Sequence, residues 1–152
     1  MAHGIFYVLD ELTEEQQLQF FCEQIAQLWR EHQSVRVWCA NQAAAEQLDE
    51  WLWRIPTNAF VPHNLVGEGP PQGAPVELCW PQAKVLSHRA PVVVVNLMNE
   101  PAPWQGAQLI IEHVPAQEPE RQAARDRYKQ YRQHGVALQT LQAADLILSK
   151  TE

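Results

Sequence analysis

Glycine is scarce in this chain, six among 152 residues. None stands in the turn where a nucleotide-binding sheet needs one. After the first strand-like run, Gly4 to Leu9, the turn reads Asp10-Glu11-Leu12-Thr13. It has no glycine, and its two carboxylates repel a phosphate. The one glycine-rich stretch, Gly67-Glu68-Gly69-Pro70-Pro71-Gln72-Gly73, follows a proline-rich loop rather than a strand. Its prolines remove N–H donors that a phosphate cradle uses. No Walker sequence is present either. These features argue against a nucleotide site, and no cofactor is expected.

Cysteine is equally sparse. Cys22, Cys39 and Cys79 lie far apart in apolar settings, with no Cys-x-x-Cys pair. Buried, reduced thiols of a cytoplasmic protein are the reading. His63, His88 and His113 have no cysteine, aspartate or second histidine at ligand spacing, so no metal is expected. His63 sits in the apolar run Phe60-Val61-Pro62-His63-Asn64-Leu65 and reads as structural, satisfied by backbone carbonyls. No serine or cysteine occupies a nucleophile elbow. Apolar runs are short as well. Ile5 to Leu9 meets Asp10 too soon for a signal peptide, and nothing approaches the roughly 18 residues of a membrane span. One cytoplasmic domain over residues 1–152, without membrane contact, is expected.

What is abundant is proline, eleven residues between Pro56 and Pro119, which marks the middle of the chain as rich in turns. Charge is acidic overall, at −7, against the basic footprint of a nucleic-acid binder. Contact with DNA is expected only indirectly. The charge is uneven, however. Between Glu118 and His134 five bases face three acids, a net of +2, which leaves −9 for the rest of the chain. A positive element on an acidic body recruits a local anion rather than a long phosphate backbone.

Apolar periodicity predicts the elements. Ile5-Phe6-Tyr7-Val8 is an aromatic and β-branched strand. Thr13 with Gln16 forms a capping box ahead of a helix to about His32, whose apolar residues recur at spacings of three and four. Val35 to Ala40 is a second strand, and Asn41 caps a helix ending near Pro56. Pro56 to Pro75 reads as a long irregular loop. Val76 to Trp80, Val92 to Leu97 and Leu109 to Val114 are further strands. A last helix opens at Pro119 and runs to about His134, with Gly135 at its C-terminus. Val136 to Leu141 reads as an edge strand, and the tail after about residue 141 is unplaced. Alternating strands and helices, with unbroken apolar strands, point to an α/β fold: a Rossmann-like, mostly parallel sheet with helices on both faces and no functional nucleotide-binding loop.

On the last helix Arg121, Arg125, Tyr128 and Arg132 share one face, with Lys129 beside them. Guanidinium groups offer forked hydrogen bonds to carboxylates, and a tyrosine ring gives apolar contact. Such a face suits an acidic segment with a hydrophobic end; a merely solvated helix face is the plainer alternative. Of the six tryptophans, Trp51 and Trp53 stand close together; core packing explains one or two of the six, and the rest read either as further core or as a partner-facing patch.

Four segments then resemble one family in order and spacing. They are Phe6-Tyr7-Val8-Leu9; Leu48-Asp49-Glu50 with Trp53; the run Phe60 to Pro70 followed by Gly73-Ala74-Pro75-Val76-Glu77; and Arg125-Asp126-Arg127-Tyr128-Lys129-Gln130-Tyr131-Arg132. The chain from about Gly4 to Gly135 resembles the chi subunit family of bacterial DNA polymerase III. That resemblance implies a non-catalytic adaptor of the clamp-loader assembly. It implies pairing with the psi subunit, and binding of the acidic, phenylalanine-ended C-terminal tail of single-stranded DNA-binding protein. The implied tail site is Val114, Arg121, Arg125, Tyr128 and Lys129, with Arg132 a weaker member. The implied psi contact is Trp53, Phe60, Pro62 and Leu65. Rival readings are a nucleotide-dependent enzyme on the same kind of sheet and direct binding of single-stranded DNA by the basic helix.

Overall fold

The computed structural model describes residues 2–54, 61–66, 75–83 and 90–151. Strand β1 (His3–Val8) leads through a tight turn to helix α1 (Glu14–His32) and strand β2 (Val35–Trp38). Helix α2 (Gln42–Arg54) follows, then β3 (His63–Leu65), β4 (Val76–Cys79), β5 (Val93–Asn96) and β6 (Leu109–Val114). Helix α3 (Glu120–Gln133), β7 (Ala137–Gln142) and α4 (Ala143–Thr151) complete the chain.

The helix starts are locally encoded. Thr13 Oγ1 accepts from the Gln16 amide at 3.1 Å while Gln16 Oε1 accepts from the Thr13 amide at 2.9 Å. The box satisfies two backbone donors that helix geometry leaves unpaired. Asn41 Oδ1 accepts from the Ala44 amide at 2.8 Å and opens α2 in the same way. Helix α3 stops at Gly135, which turns at φ +82°, a conformation glycine adopts without strain.

The seven strands form one sheet in the order β3-β4-β2-β5-β6-β1-β7. Every pairing is parallel, so the expectation of a mostly parallel sheet is met in full. The valine strand β5 is buried throughout. Side chains of α1 and α2, with Leu146 and Ile147 of α4, pack on one face against Val35, Val37, Leu78 and Ile111. The other face receives α3 over Phe6 and Ile110, and residues 98–107 over Trp38 and Val94. Helices thus cover both faces, because alternate residues of each parallel strand are apolar on opposite sides.

Three segments differ from the sequence expectation. The stretch read as irregular between Pro56 and Pro75 contains the edge strand β3, three residues whose pairing with β4 is set by distant register rather than by local pattern. The edge strand at the other side starts at Ala137 and ends at Gln142. The unplaced tail forms α4, whose Ala143 is fully buried. Gly4 allows β7 to lie close: a methyl group there would stand 2.7 Å from Leu138 Cδ2. The three cysteines are free and buried. Burial pushes the Cys22 and Cys39 thiols up to about 12 and raises Cys79 as well, so they stay protonated and unreactive.

Candidate functional site

The sheet order places β1 between β6 and β7. Phe6 on β1 therefore lies opposite Glu112 on one side and Thr140 on the other. Helix α3 crosses this region and turns Ala124, Arg127 and Tyr131 inward. Beside that inner stripe a cleft of about 250 Å³ opens, lined by Phe6, Val114, Ala124, Arg125, Tyr128, Lys129 and Thr140. Its floor is apolar. Tyr128 meets Phe6 edge-on with ring centroids 5.2 Å apart, an arrangement that fixes both rings. A closed cavity of about 150 Å³ already admits benzene, so this open cleft has room for a phenyl ring.

Arg125 and Lys129, four residues apart, stand at its rim, and both are exposed. The Arg125 guanidinium donates to Glu118 Oε1 at 3.1 Å and to Gln122 Oε1 at 3.0 Å. Among the described residues Lys129 makes no ion pair. Of the residues expected here, Val114, Arg125, Tyr128 and Lys129 are brought together. Arg121 and Arg132 are not in the lining. Arg121 is half-buried and donates to Asp10 Oδ1 at 2.8 Å and to the Pro115 carbonyl at 3.2 Å, which ties α3 to the turn after β1. That turn is where a parallel sheet of this kind would hold a phosphate, and a carboxylate occupies it. Arg132 is exposed one turn further along α3.

Beneath the cleft lies a buried polar cluster that sequence reasoning missed. Glu112 on β6 is 1% exposed and Arg127 is 2% exposed. Arg127 Nε donates to Glu112 Oε1 at 3.1 Å, while its other nitrogens reach the carbonyls of Asn99 at 2.8 Å and His113 at 3.2 Å. Glu112 Oε2 accepts from Asn96 Nδ2 and from the Tyr131 hydroxyl, both at 2.8 Å. Burial pushes the Glu112 carboxyl up, opposed first by the Arg127 charge and then by the hydrogen bonds of Asn96, Tyr131 and Arg127. His113 donates to the Asn96 carbonyl at 2.9 Å. Burial, with the Arg127 charge behind it, lowers its imidazole to about 4. The signal was an acid and a histidine inside the apolar strand Leu109-Ile110-Ile111-Glu112-His113-Val114. A buried carboxylate requires a partner, and Arg127 lies in helical register with Ala124 and Tyr131.

The second expected surface lies at the end of α2. Trp53 is 61% exposed, the one large hydrophobic residue so exposed among those described. Its ring stands 4.9 Å from that of His63. His63 is bound by the Val61 carbonyl at 2.7 Å, as expected of a structural histidine, and by the Asp49 carboxylate at 3.0 Å. Pro62 is half-buried beside them, whereas Leu65 points into the core at 8% exposure. Phe60 lies outside the described residues. Among the described residues no group of three His, Cys, Asp or Glu could hold a metal. No helix there is long and apolar enough to cross a membrane.

Comparison with known proteins agrees with this architecture. The family model for the DNA polymerase III chi subunit, HolC, matches residues 1–139. The DNA polymerase III subunit chi of Escherichia coli K12 is 40% identical over 145 residues, covering 92% of this chain and 97% of the relative. That of Haemophilus influenzae is 37% identical over 139 residues, covering 89% and 93%. That of Pseudomonas aeruginosa is 33% identical over 144 residues, covering 91% and 95%. With the family model matching residues 1–139 and these relatives 33–40% identical over about nine-tenths of the chain, the chain belongs to the DNA polymerase III chi subunit family.

Proposed function

We propose that this protein, an accessory and non-catalytic subunit of the replicative polymerase, is a two-sided cytoplasmic adaptor. One side holds the acidic, phenylalanine-ended C-terminal tail of single-stranded DNA-binding protein; the other pairs with the psi subunit. The observation that carries the first half is the cleft against α3. Phe6, Val114 and Tyr128 supply an apolar slot of ring size, and Arg125 and Lys129 supply cations at its mouth. A terminal phenylalanine carries both matching chemistries at one residue, a ring and a carboxylate. The rest of the acidic tail meets the positive helix, with Arg132 as an outer contact and Arg121 holding the α3 end in place.

The expected affinity is moderate. A charge-assisted hydrogen bond contributes roughly 1.5–3 kcal/mol, and ordering a flexible tail offsets part of that. Titration of a labelled acidic peptide ending in phenylalanine should give a dissociation constant of about micromolar order. The same peptide without the phenylalanine should not bind measurably. Arg125→Ala should weaken binding about tenfold, the share of one exposed charged contact, and higher salt should weaken it further. Unchanged affinity in Arg125→Ala would remove the cleft from the tail site.

The psi surface is assigned to Trp53 and Pro62, with Phe60 in the adjoining segment and Leu65 supporting them from the core. An exposed tryptophan backed by a bound histidine is a ready anchor, since such rings dominate interface energetics. Trp53→Ala should weaken psi binding at least tenfold while leaving the tail peptide's affinity unchanged. Equal psi affinity in the variant would place the interface elsewhere.

A further inference from the structure

The Arg125 guanidinium already carries a carboxylate. Glu118, just before α3, spans the helix start with both oxygens: Oε2 accepts from the Gln122 amide at 3.0 Å and Oε1 accepts from Arg125 Nη1 at 3.1 Å. Pro119 at the N-cap makes no side-chain cap hydrogen bond, so Glu118 does the capping from one position earlier. Capping holds the carboxylate beside Arg125 in the free protein. Both partners of the pair are more than half exposed, at 52% and 56%, so the contact is exchangeable. The Arg121–Asp10 pair is different. It is shorter, at 2.8 Å, it is shared with the Pro115 carbonyl, and Arg121 is only 28% exposed.

We propose that Glu118 is an internal competitor for the cleft: it occupies the guanidinium that an incoming acidic segment must take, and so lowers the affinity of the site. An arriving carboxylate first meets Lys129, which is not engaged by any described acid, and then exchanges with Glu118 on Arg125. Exchange of one carboxylate for another keeps the exposed Arg125 guanidinium paired throughout, and the waiting Glu118 speeds release. The cap bond to Gln122 keeps the displaced Glu118 next to the site, ready to return. This inference rests on the cleft being the seat of an acidic, phenylalanine-ended tail.

The test is a gain of affinity. Glu118→Gln keeps an oxygen for the Gln122 amide and removes the charge. With the same labelled peptide it should bind about two- to fivefold tighter, the range that an exposed ion pair supports. Asp126→Asn is the control, because Asp126 is an exposed acid of α3 bonded to Gln122 rather than to Arg125. It should change affinity less than Glu118→Gln does. In an Arg125→Ala background Glu118→Gln should bring no gain. Wild-type binding that Glu118→Gln leaves equal or weaker would overturn the competitor role alone. So would an equal gain from Asp126→Asn, or a gain that persists without Arg125. Absence of peptide binding in both the wild type and Glu118→Gln would overturn the tail reading and the competitor with it. Binding detected only in Glu118→Gln would support both.

Discussion

Replacing Arg127 by methionine is expected to cost the fold about 3–5 kcal/mol, the usual consequence of removing one partner from a buried ion pair. The physical reason is the position of Glu112. Its carboxylate is 1% exposed and sits on the interior strand β6, out of reach of bulk solvent once its cation is lost. Asn96 and Tyr131 still donate to it, but neither carries charge. Two carbonyl groups, of Asn99 and His113, lose their donors at the same time. The variant's Glu112 must then take up a proton or open the interface between α3 and the sheet. Denaturant unfolding measures the loss. The double variant Arg127→Met/Glu112→Gln should recover part of it, because the uncompensated charge is gone, and with Glu112→Gln measured alone the three variants give the coupling between the two sites. A loss below about 1 kcal/mol in the single variant would mean that α3 does not depend on this pair. The cleft should suffer with the fold: Arg125, Tyr128 and Lys129 share the helix that Arg127 pins.

Acid should destabilise the protein through the same cluster. In the unfolded chain His113 takes up its proton near 6.5, whereas in the fold burial holds it to about 4. Between those values the unfolded state binds more protons, so stability falls as pH drops. The contribution is complete above about pH 6.5 and is lost as pH falls through 4, a difference of about 3 kcal/mol. Burial raises the carboxyl of neighbouring Glu112, which has the opposite pH dependence. The expected result is therefore stated as a difference. Subtracting the stability of His113→Gln from that of the wild type at each pH should leave a curve that declines between pH 6.5 and 4 and is flat above. A flat difference across the whole range would show that His113 is protonated in the fold as easily as in the open chain.

The two arginines of this region show where sequence reading stops. Arg125 and Arg127 are the same residue type two positions apart. On a helix two positions amount to just over half a turn, so one faces solvent and the other faces the sheet. Periodicity alone placed Arg125 on the face with Tyr128. It gave Arg127 no inward role, because its partner Glu112 lies 15 residues upstream on another element. Phe6 and Thr140 line the cleft for a similar reason. They come from β1 and β7, which become neighbours only through the sheet order. Strand β3 and helix α4 went unseen because three residues, or two short turns, carry too little local pattern. Their stability comes from packing on elements far away in sequence.

The sequence by itself determined the parallel α/β class, the capping of α1 and α2, the absence of a glycine turn after β1, and the cationic face of α3. These follow from local rules: period, capping chemistry and backbone freedom. The tertiary structure decided which arginine is buried, which carboxylates already hold Arg121 and Arg125, and that a ring-sized apolar slot opens beside Lys129. Those depend on contacts between residues far apart in the chain, and a side chain's charge partner is set by the fold that brings the two together.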